Sequence, residues 1–213
     1  MSHLACGQVH PRLLAAVALA TAAAIMVAGI ALAPRGEGTP GVGRAGFEGA
    51  LRPPGVPPAD FALRDQDGER ITLADVRGEV TVVTFLYSSC EDTCPLVAQQ
   101  IRGALDQLGR DVPVLAFSVD PATDTPPSAR AFLLDQRLTG DWHFLLGERA
   151  ELQPVWEAYG IQPQAVREGG PDLDHSISVV LLDRGGRQRI GFPYDQLTPE
   201  RLAADIERLQ RGG

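Results

Sequence analysis

The stretch TFLYSSCEDTCPLVAQQI, residues 84–101, places two cysteines where an apolar run ends and a helical pattern begins. The run before them, EVTVVTFLY (79–87), is β-branched and apolar on both faces, which predicts a central strand buried on both sides. The residues after them, 95–109, end in glycine and predict a helix with an apolar stripe of Leu96, Ile101, Leu105 and Leu108. Cys90 and Cys94 therefore lie between a buried strand and the start of a helix.

The chain from Asp60 onward continues this alternation of short strands and helices. Asp67-Gly68 and Gly185-Gly186 each separate two β-like runs and predict two hairpins, and residues 112–120 predict a second buried strand. Helical patterns cover 126–138, 148–160 and 198–211. The predicted order is hairpin, strand-helix-strand, helices, hairpin and closing helix. We expect an α/β, thioredoxin-like fold with an N-terminal β-hairpin and inserted helices.

The N-terminal part of the chain predicts a single membrane anchor and a tether. After a short segment, 1–12, residues 13–33 carry no charge, and a bilayer core needs roughly 20 apolar residues. The alternative is a cleavable signal peptide, whose apolar region usually has only about 7 to 15 residues, so we predict an uncleaved anchor. Residues 34–58 are rich in Gly and Pro and predict a tether, followed by the folded domain at 59–213. Both interpretations export the domain.

The charge of the chain argues against one class of partner. The formal net charge is −8, and all 19 basic residues are arginines. A nucleic-acid-binding domain carries a basic patch on one face. We therefore predict no nucleic-acid binding.

The cysteine pair is suited to redox exchange or to metal binding. A helix N-terminus stabilises a thiolate, and a disulfide across so short a loop adds little stability. A thioredoxin-type motif has two residues between its cysteines, whereas Glu91, Asp92 and Thr93 stand here; a peroxiredoxin has Thr or Ser where Tyr87 stands. Two thiolates with one imidazole suit copper, because soft sulfur selects Cu(I) and nitrogen steadies Cu(II).

A copper site of this kind needs a histidine, and the chain has four. His3, Cys6 and His10 precede the predicted anchor, which separates them from the domain. His143, in DWHFLL, starts a short apolar segment, and we predict a structural role for it. His175, in PDLDHSISVVLLD, precedes the late hairpin, whose first strand starts at the cysteine end of a thioredoxin-like sheet. His175 is therefore the candidate functional histidine.

The ordered set FLYSSCEDTCP, FSVDPATDTP, DWHFLLG, YGI, DLDHS and LLDRGGRQRIGF resembles the Sco/SenC family, the copper-handling assembly factors of cytochrome c oxidase. The resemblance runs from about Pro58 to the final helix, and a membrane anchor is usual in the family. It implies a thioredoxin-like fold in which Cys90, Cys94 and His175 bind one copper ion, as Cu(I) or Cu(II). It also implies a partner, the oxidase subunit with the binuclear copper A centre, and a periplasmic position at the bacterial cytoplasmic membrane.

Several residues beside the implied ligands depart from the family pattern or have open roles. Proline often stands at the position of Glu91 in the family, so this carboxylate either serves as a weak fourth ligand or only adds charge. Asp92 matches a common family residue, whereas an aromatic residue is common near Val180. Asp174 either orients the imidazole of His175 or is a solvated loop carboxylate.

The resemblance implies one function and leaves two others open. The first is a membrane-tethered copper chaperone that supports assembly of the copper A centre, with another periplasmic copper chaperone as a second candidate partner and the source of the copper left open. The second is a thiol-disulfide oxidoreductase in which Cys90 and Cys94 are a redox pair that reduces the cysteines of the same oxidase subunit. The third is a copper or redox sensor. A copper carrier needs His175, whereas a pure redox enzyme tolerates its loss.

Overall fold

The structure, a computed structural model, describes residues 46–56, 59–161 and 178–212. The chain divides into two compact units, Met1–Pro40 and Gly41–Gly213, and all described residues belong to the second. The predicted anchor at 13–33 lies outside the described residues, as do Asp174 and His175. Across the described ranges, no helix has both the length and the apolar composition needed to cross a membrane.

The domain contains a six-stranded sheet and a separate two-stranded hairpin. The strands, in chain order, are β1 (Ala50–Leu51), β2 (Ala62–Arg64), β3 (Arg70–Thr72), β4 (Thr81–Leu86), β5 (Val114–Ser118), β6 (Trp142–Leu145), β7 (Ser178–Leu182) and β8 (Gln188–Pro193). The large sheet has the order β1-β8-β7-β4-β5-β6, and β2 pairs with β3. Strands β4, β5 and β6 are parallel, whereas β7 is antiparallel to β4, β8 to β7 and β1 to β8.

In the part of the chain that the structure describes, four α-helices and one 3-10 turn accompany these strands. They are α1 (Thr93–Leu108), α2 (Pro126–Asp135), α3 (Arg149–Tyr159), the 3-10 turn Tyr194–Gln196 and α4 (Pro199–Arg211). The side chains of Thr125 and Thr198 cap α2 and α4 by accepting a backbone N–H from the first turn. Gly109 ends α1 with a φ of 64°, a left-handed conformation that glycine adopts without strain. Helix α1 packs against α4.

The predicted centre of the fold is confirmed. All six residues of β4 are buried, because the strand lies between β5 and β7 in the middle of the sheet. Helix α1 then connects β4 to its parallel neighbour β5, as the strand-helix-strand pattern predicts. Both predicted hairpins turn at a glycine with positive φ, Gly68 at 81° and Gly186 at 80°. These elements form the predicted thioredoxin-like α/β arrangement.

The predicted apolar stripe of α1 is wrong at one position. Leu96 is 62% exposed to solvent. The buried face of the helix consists of Cys94, Val97, Ala98, Ile101 and Ala104. These positions follow the three-and-four spacing of one helical face, and Leu96 lies outside it.

The N-terminal strap, residues 46–52, is part of the folded domain although its composition predicts tether. Phe47 packs against the core, and the backbone N–H groups of Glu48 and Gly49 each donate to the buried Asp205 carboxylate at 2.9 Å. A Cβ on Gly49 would lie 2.4 Å from the Ile190 side chain, so this glycine permits close packing. The prediction that the tether extends to residue 58 is therefore wrong for the strap, because composition does not separate a flexible glycine from a tightly packed one.

The segment around His143 forms a strand that its pattern did not predict. It is β6, which pairs in parallel with β5 and places His143 opposite Leu115. Four residues are too few for a periodic pattern to distinguish a strand from a loop.

Candidate metal centre

The cysteine loop begins where β4 ends and closes at the first turn of α1. The backbone N–H of Cys90 donates to the carbonyl oxygen of Tyr87 at 3.3 Å, which turns the chain after the strand. Asp92 occupies the N-cap position of α1, but its side chain makes no capping hydrogen bond. Instead, the backbone N–H of Cys94 donates to the sulfur of Cys90 at 3.2 Å. The Cys90 sulfur thus satisfies one of the N–H groups that a helix start leaves unpaired.

The two thiols are reduced and lie in unequal surroundings. Cys90 is 8% exposed and Cys94 is 0% exposed. A hydrogen bond from the Cys94 side chain, more than any other contact, lowers the pKa of Cys90 to about 6. Donating that hydrogen bond, together with burial, raises the pKa of Cys94. The pair therefore holds one proton near neutral pH, with Cys90 as the thiolate and Cys94 as the thiol.

Asp124 fastens the cysteine loop to the loop that follows β5. Its Oδ1 accepts the backbone N–H of Ser88 at 2.8 Å and the Ser88 hydroxyl at 2.6 Å, and its Oδ2 accepts the Ser118 hydroxyl at 2.5 Å. Burial raises the pKa of Asp124 despite these hydrogen bonds, which lower it. The negative charge of Asp124 also contributes to the raised pKa of Cys94. This carboxylate both positions the loop and acts electrostatically on its buried sulfur.

The sequence carries no signal that marks Asp124 as a site residue. The residue belongs to FSVDPATDTP, a motif that carries the family resemblance, but the motif does not say which of its carboxylates accepts hydrogen bonds from the cysteine loop. Aspartates in a Pro/Asp-rich loop such as this one are usually solvated turn residues. Only the tertiary structure, which brings Ser88 and Ser118 to the same carboxylate, distinguishes Asp124 from its neighbours.

The predicted histidines lie in different parts of the chain. His143 bridges two carboxylates, with Nδ1 2.9 Å from Asp65 and Nε2 2.9 Å from Asp141, so the predicted structural role is confirmed. His3, Cys6 and His10 lie outside the described residues, as His175 does.

The position of β7 shows which end of the sheet the chain reaches three residues after His175. Strand β7 begins at Ser178 and is antiparallel to β4, with Val180 opposite Val83. The start of β7 therefore lies at the end of the sheet where β4 leads into the cysteine loop, as predicted. Within the described ranges, Cys90 and Cys94 are joined by no other cysteine, histidine or carboxylate that would complete a group of three metal ligands. The flanking Glu91 and Asp92 are exposed.

Fold and site together define a thioredoxin-like protein with a reduced cysteine pair at a helix start. A sequence model of the SCO1/SenC family matches residues 53–211. Protein SenC of Rhodobacter capsulatus is 32% identical over 201 residues, which are 88% of this chain and 86% of that protein. The chain therefore belongs to the SCO1/SenC family.

Two solved structures extend this likeness to the fold. Bradyrhizobium japonicum ScoI with copper bound is 30% identical and aligns with a TM-score of 0.59, covering 71% of this chain and 98% of that one. A SCO1/SenC family lipoprotein from Bacillus anthracis is 25% identical and aligns with a TM-score of 0.63, covering 71% of this chain and 93% of that one.

The unequal thiols predict unequal alkylation. In the reduced, metal-free protein, Cys90 should react with iodoacetamide before Cys94, and its rate should rise as pH increases through about 6. Cys94→Ala removes the main hydrogen bond to Cys90 and should move this rise to higher pH. Peptide mass spectrometry after timed anaerobic labelling measures each cysteine separately, with free glutathione as the reference thiol. Equal rates at the two cysteines, with the rise near that of glutathione, would contradict the assigned asymmetry.

The Asp124 contacts predict a cost to stability and to loop order. Asp124→Ala leaves the buried Ser118 hydroxyl and the half-buried Ser88 groups without their acceptor and should lower the free energy of unfolding by about 1–3 kcal/mol. Asp124→Asn retains an acceptor for Ser88 and should cost less. Asp124→Ala should also speed alkylation of Cys94, because the loop over it loosens. Asp106→Ala, at an exposed position on α1, is the control for both measurements; if it matched Asp124→Ala, the assigned role would be wrong.

Proposed function

We propose that this protein is a membrane-tethered copper chaperone that binds one copper ion, as Cu(I) or Cu(II), through Cys90, Cys94 and His175. It takes up copper outside the cytoplasmic membrane and supports assembly of the binuclear copper A centre of cytochrome c oxidase. The observation that carries the proposal is the reduced sulfur pair at the start of α1, in a chain similar to copper-bound ScoI. The oxidase subunit as partner follows from the family resemblance.

The donor chemistry of the described pair suits copper. Both ligands are sulfur, which prefers Cu(I) over hard cations, and the surrounding burial excludes competing water. Cys90 is the more exposed of the two residues and is the thiolate, so an incoming ion meets it first. Cys94 must then lose its proton to become the second ligand. Copper uptake near neutral pH thus displaces at least one proton from the pair.

His175 completes the proposed ligand set as a nitrogen donor that accommodates Cu(II). The support comes from the sheet: β7, which begins three residues after His175, starts at the cysteine end. Asp174 is proposed to orient the imidazole through a hydrogen bond, as metal-binding histidines generally require.

The proposed location is the outer side of the cytoplasmic membrane, with residues 13–33 as a single-pass anchor. The uncharged length of this segment supports the spanning anchor. The similar SCO1/SenC family lipoprotein from Bacillus anthracis supports membrane attachment in general, since a lipoprotein is held by a lipid. The strap at 46–52 then carries the chain from the tether into the domain.

The chaperone proposal predicts a proton-linked copper affinity. Apparent Cu(I) affinity should fall on acidification, and more steeply below about pH 6, where Cys90 also takes up a proton. Cys90→Ser and Cys94→Ser should each weaken binding by at least about 100-fold, more than the loss of an outer hydrogen-bond partner costs. Competition with a Cu(I) chelator between pH 5 and 8 measures both effects, and Cys6→Ser is the control. If His175→Ala left the Cu(II) affinity and spectrum unchanged, the three-ligand proposal would be wrong.

A thiol-disulfide oxidoreductase is the second candidate, and the inequality of the two thiols favours it. A thiolate with a pKa of about 6 beside a protonated, buried partner is also the arrangement of a dithiol that attacks a substrate disulfide. The oxidase subunit's cysteines would be the substrate, and its disulfide would be exchanged for one between Cys90 and Cys94.

One experiment separates the two candidates. The reduced protein is offered to the metal-free copper A domain of the oxidase, once loaded with copper and once metal-free, with Cys90→Ser and His175→Ala variants in parallel. The chaperone predicts copper transfer from the loaded form and its loss in both variants. The oxidoreductase predicts that the metal-free form reduces the partner's disulfide and that His175→Ala retains this activity. Failure of transfer together with efficient reduction would overturn the chaperone proposal.

A further inference from the structure

The end of the sheet opposite the cysteine loop carries a cluster of arginines. Strand β7 starts at the cysteine end, so the turn between β7 and β8, residues 183–187, lies at the other end, beside the start of β4. Two cavities of about 190 and 580 Å³ open at this turn and share Arg187 and Arg189. We call the five arginines that line them the arginine surface: Arg52, Arg184, Arg187, Arg189 and Arg208.

One carboxylate lies among the first three of these charges along the β7–β8 turn. Of the described residues that line the two cavities, only Asp183 is acidic. Its Oδ2 accepts hydrogen bonds from Arg187 Nε and Arg189 Nη1, each at 3.1 Å, so two guanidinium groups share one negative charge. Arg184 donates to the backbone carbonyl oxygen of Gln210 at 3.0 Å, which is an uncharged acceptor. These three arginines therefore have one counter-charge between them.

The two remaining arginines bring one more carboxylate. Arg52 donates to Gln188 Oε1 at 2.7 Å, an uncharged acceptor. Arg208 lies over the Phe47 ring at 5.5 Å, and its neighbour one turn earlier on α4 is Asp205, whose carboxylate accepts the N–H groups of the strap. Five arginines and two aspartates leave a local net charge of +3, on a chain whose formal net charge is −8. The arginine surface is thus a positive patch on an acidic protein.

The chain enters the folded domain at this same surface. The first described residue, Gly46, lies so close to Arg208 that a Cβ on it would be 2.8 Å from the guanidinium Nη1. Twelve residues, 34–45, separate the proposed anchor from the strap, and they reach at most about 40 Å even when fully extended. An anchor at 13–33 therefore keeps the arginine surface near the bilayer.

We propose that the arginine surface docks on the headgroups of anionic phospholipids and thereby orients the domain at the membrane. The proposal rests on the proposed membrane anchor and is independent of the copper function. Guanidinium groups suit this partner, because their planar donors bind phosphate oxygens in pairs. The six residues of β4, about 20 Å of strand, then separate the bilayer from the cysteine loop. In this orientation the cysteine pair faces the aqueous compartment, where a protein partner reaches it.

Arginine footprinting of the full chain in lipid nanodiscs tests the docking. Phenylglyoxal modifies exposed guanidinium groups, and peptide mass spectrometry measures the rate at each arginine in nanodiscs of phosphatidylcholine with or without phosphatidylglycerol. The exposed Arg184, Arg187 and Arg189 should react at least about fivefold more slowly with phosphatidylglycerol, the factor that one basic residue contributes near an anionic surface. Salt at about 1 M should remove this protection, because the Debye length falls to about 3 Å.

Arg64 and Arg70 supply the matched control. Both are exposed and occupy paired positions on β2 and β3, and β2 hydrogen-bonds to the chain just after β6, at the cysteine end of the sheet. Their reaction rates should not depend on the lipid. The double variant Arg184→Gln/Arg187→Gln should lose the protection of Arg189, whereas Arg64→Gln/Arg70→Gln should retain it. Thermal unfolding monitors the folding of both variants, and the salt series uses the unaltered chain if a variant does not fold.

The outcomes separate the arginine surface from the anchor. Equal rates at Arg184, Arg187 and Arg189 in the two lipids, in a chain that inserts into both, would overturn the lipid docking and leave the anchor standing. A chain that does not insert into neutral nanodiscs but shows salt-sensitive protection on phosphatidylglycerol vesicles would support the docking and overturn the anchor. If a DNA oligonucleotide protected these arginines more than phosphatidylglycerol does, the assignment of lipid as the partner would be wrong.

Discussion

A hydrogen bond from a backbone N–H to a sulfur atom determines the geometry of the whole site. The N–H of Cys94 donates to Cys90 Sγ, and the side chain of Asp92, at the N-cap position, does not compete for that role. The start of α1 and the reactive pair are therefore one structural element. A proton, a metal ion or a disulfide on Cys90 changes the acceptor at the helix start, so the chemical state of the sulfur and the local fold are coupled.

The rest of the domain holds that element in place from two sides. On one side, β4 is buried along its full length and fixes where the chain leaves the sheet. On the other, Asp124 binds Ser88, two residues before Cys90, and connects it to the end of β5 through Ser118. The resulting environment makes one sulfur a thiolate and keeps the other protonated. A thiolate beside a protonated thiol favours both the binding of a metal ion and disulfide exchange. The geometry of the cysteine pair is therefore compatible with both proposed functions.

The sequence predicted the parts of the fold that local patterns encode. The apolar run of β4, the helix that ends at Gly109 and the two glycine turns depend on short-range propensities, and all are found. The hydrogen-bonded, structural His143 was also predicted and is found between Asp65 and Asp141.

The features that the sequence did not predict depend on contacts between residues that are far apart in the chain. Leu96 is apolar and exposed, and its spacing alone did not reveal this. The strap has the composition of a tether but is fixed by Asp205, which lies 156 positions beyond Gly49 in the chain. Asp124 positions the cysteine loop because the hydroxyl groups of Ser88 and Ser118, which follow or end different strands, both donate hydrogen bonds to its carboxylate. None of these contacts leaves a periodic or compositional signal in the sequence.

Copper binding by the sulfur pair is the central claim, and X-ray absorption spectroscopy of the copper-loaded full chain tests it most directly. A copper ion bound by Cys90, Cys94 and His175 should show two sulfur neighbours and one imidazole, and it should lose one sulfur neighbour in Cys90→Ser or Cys94→Ser. A first shell of nitrogen and oxygen alone, or a spectrum that neither variant changes, would contradict it.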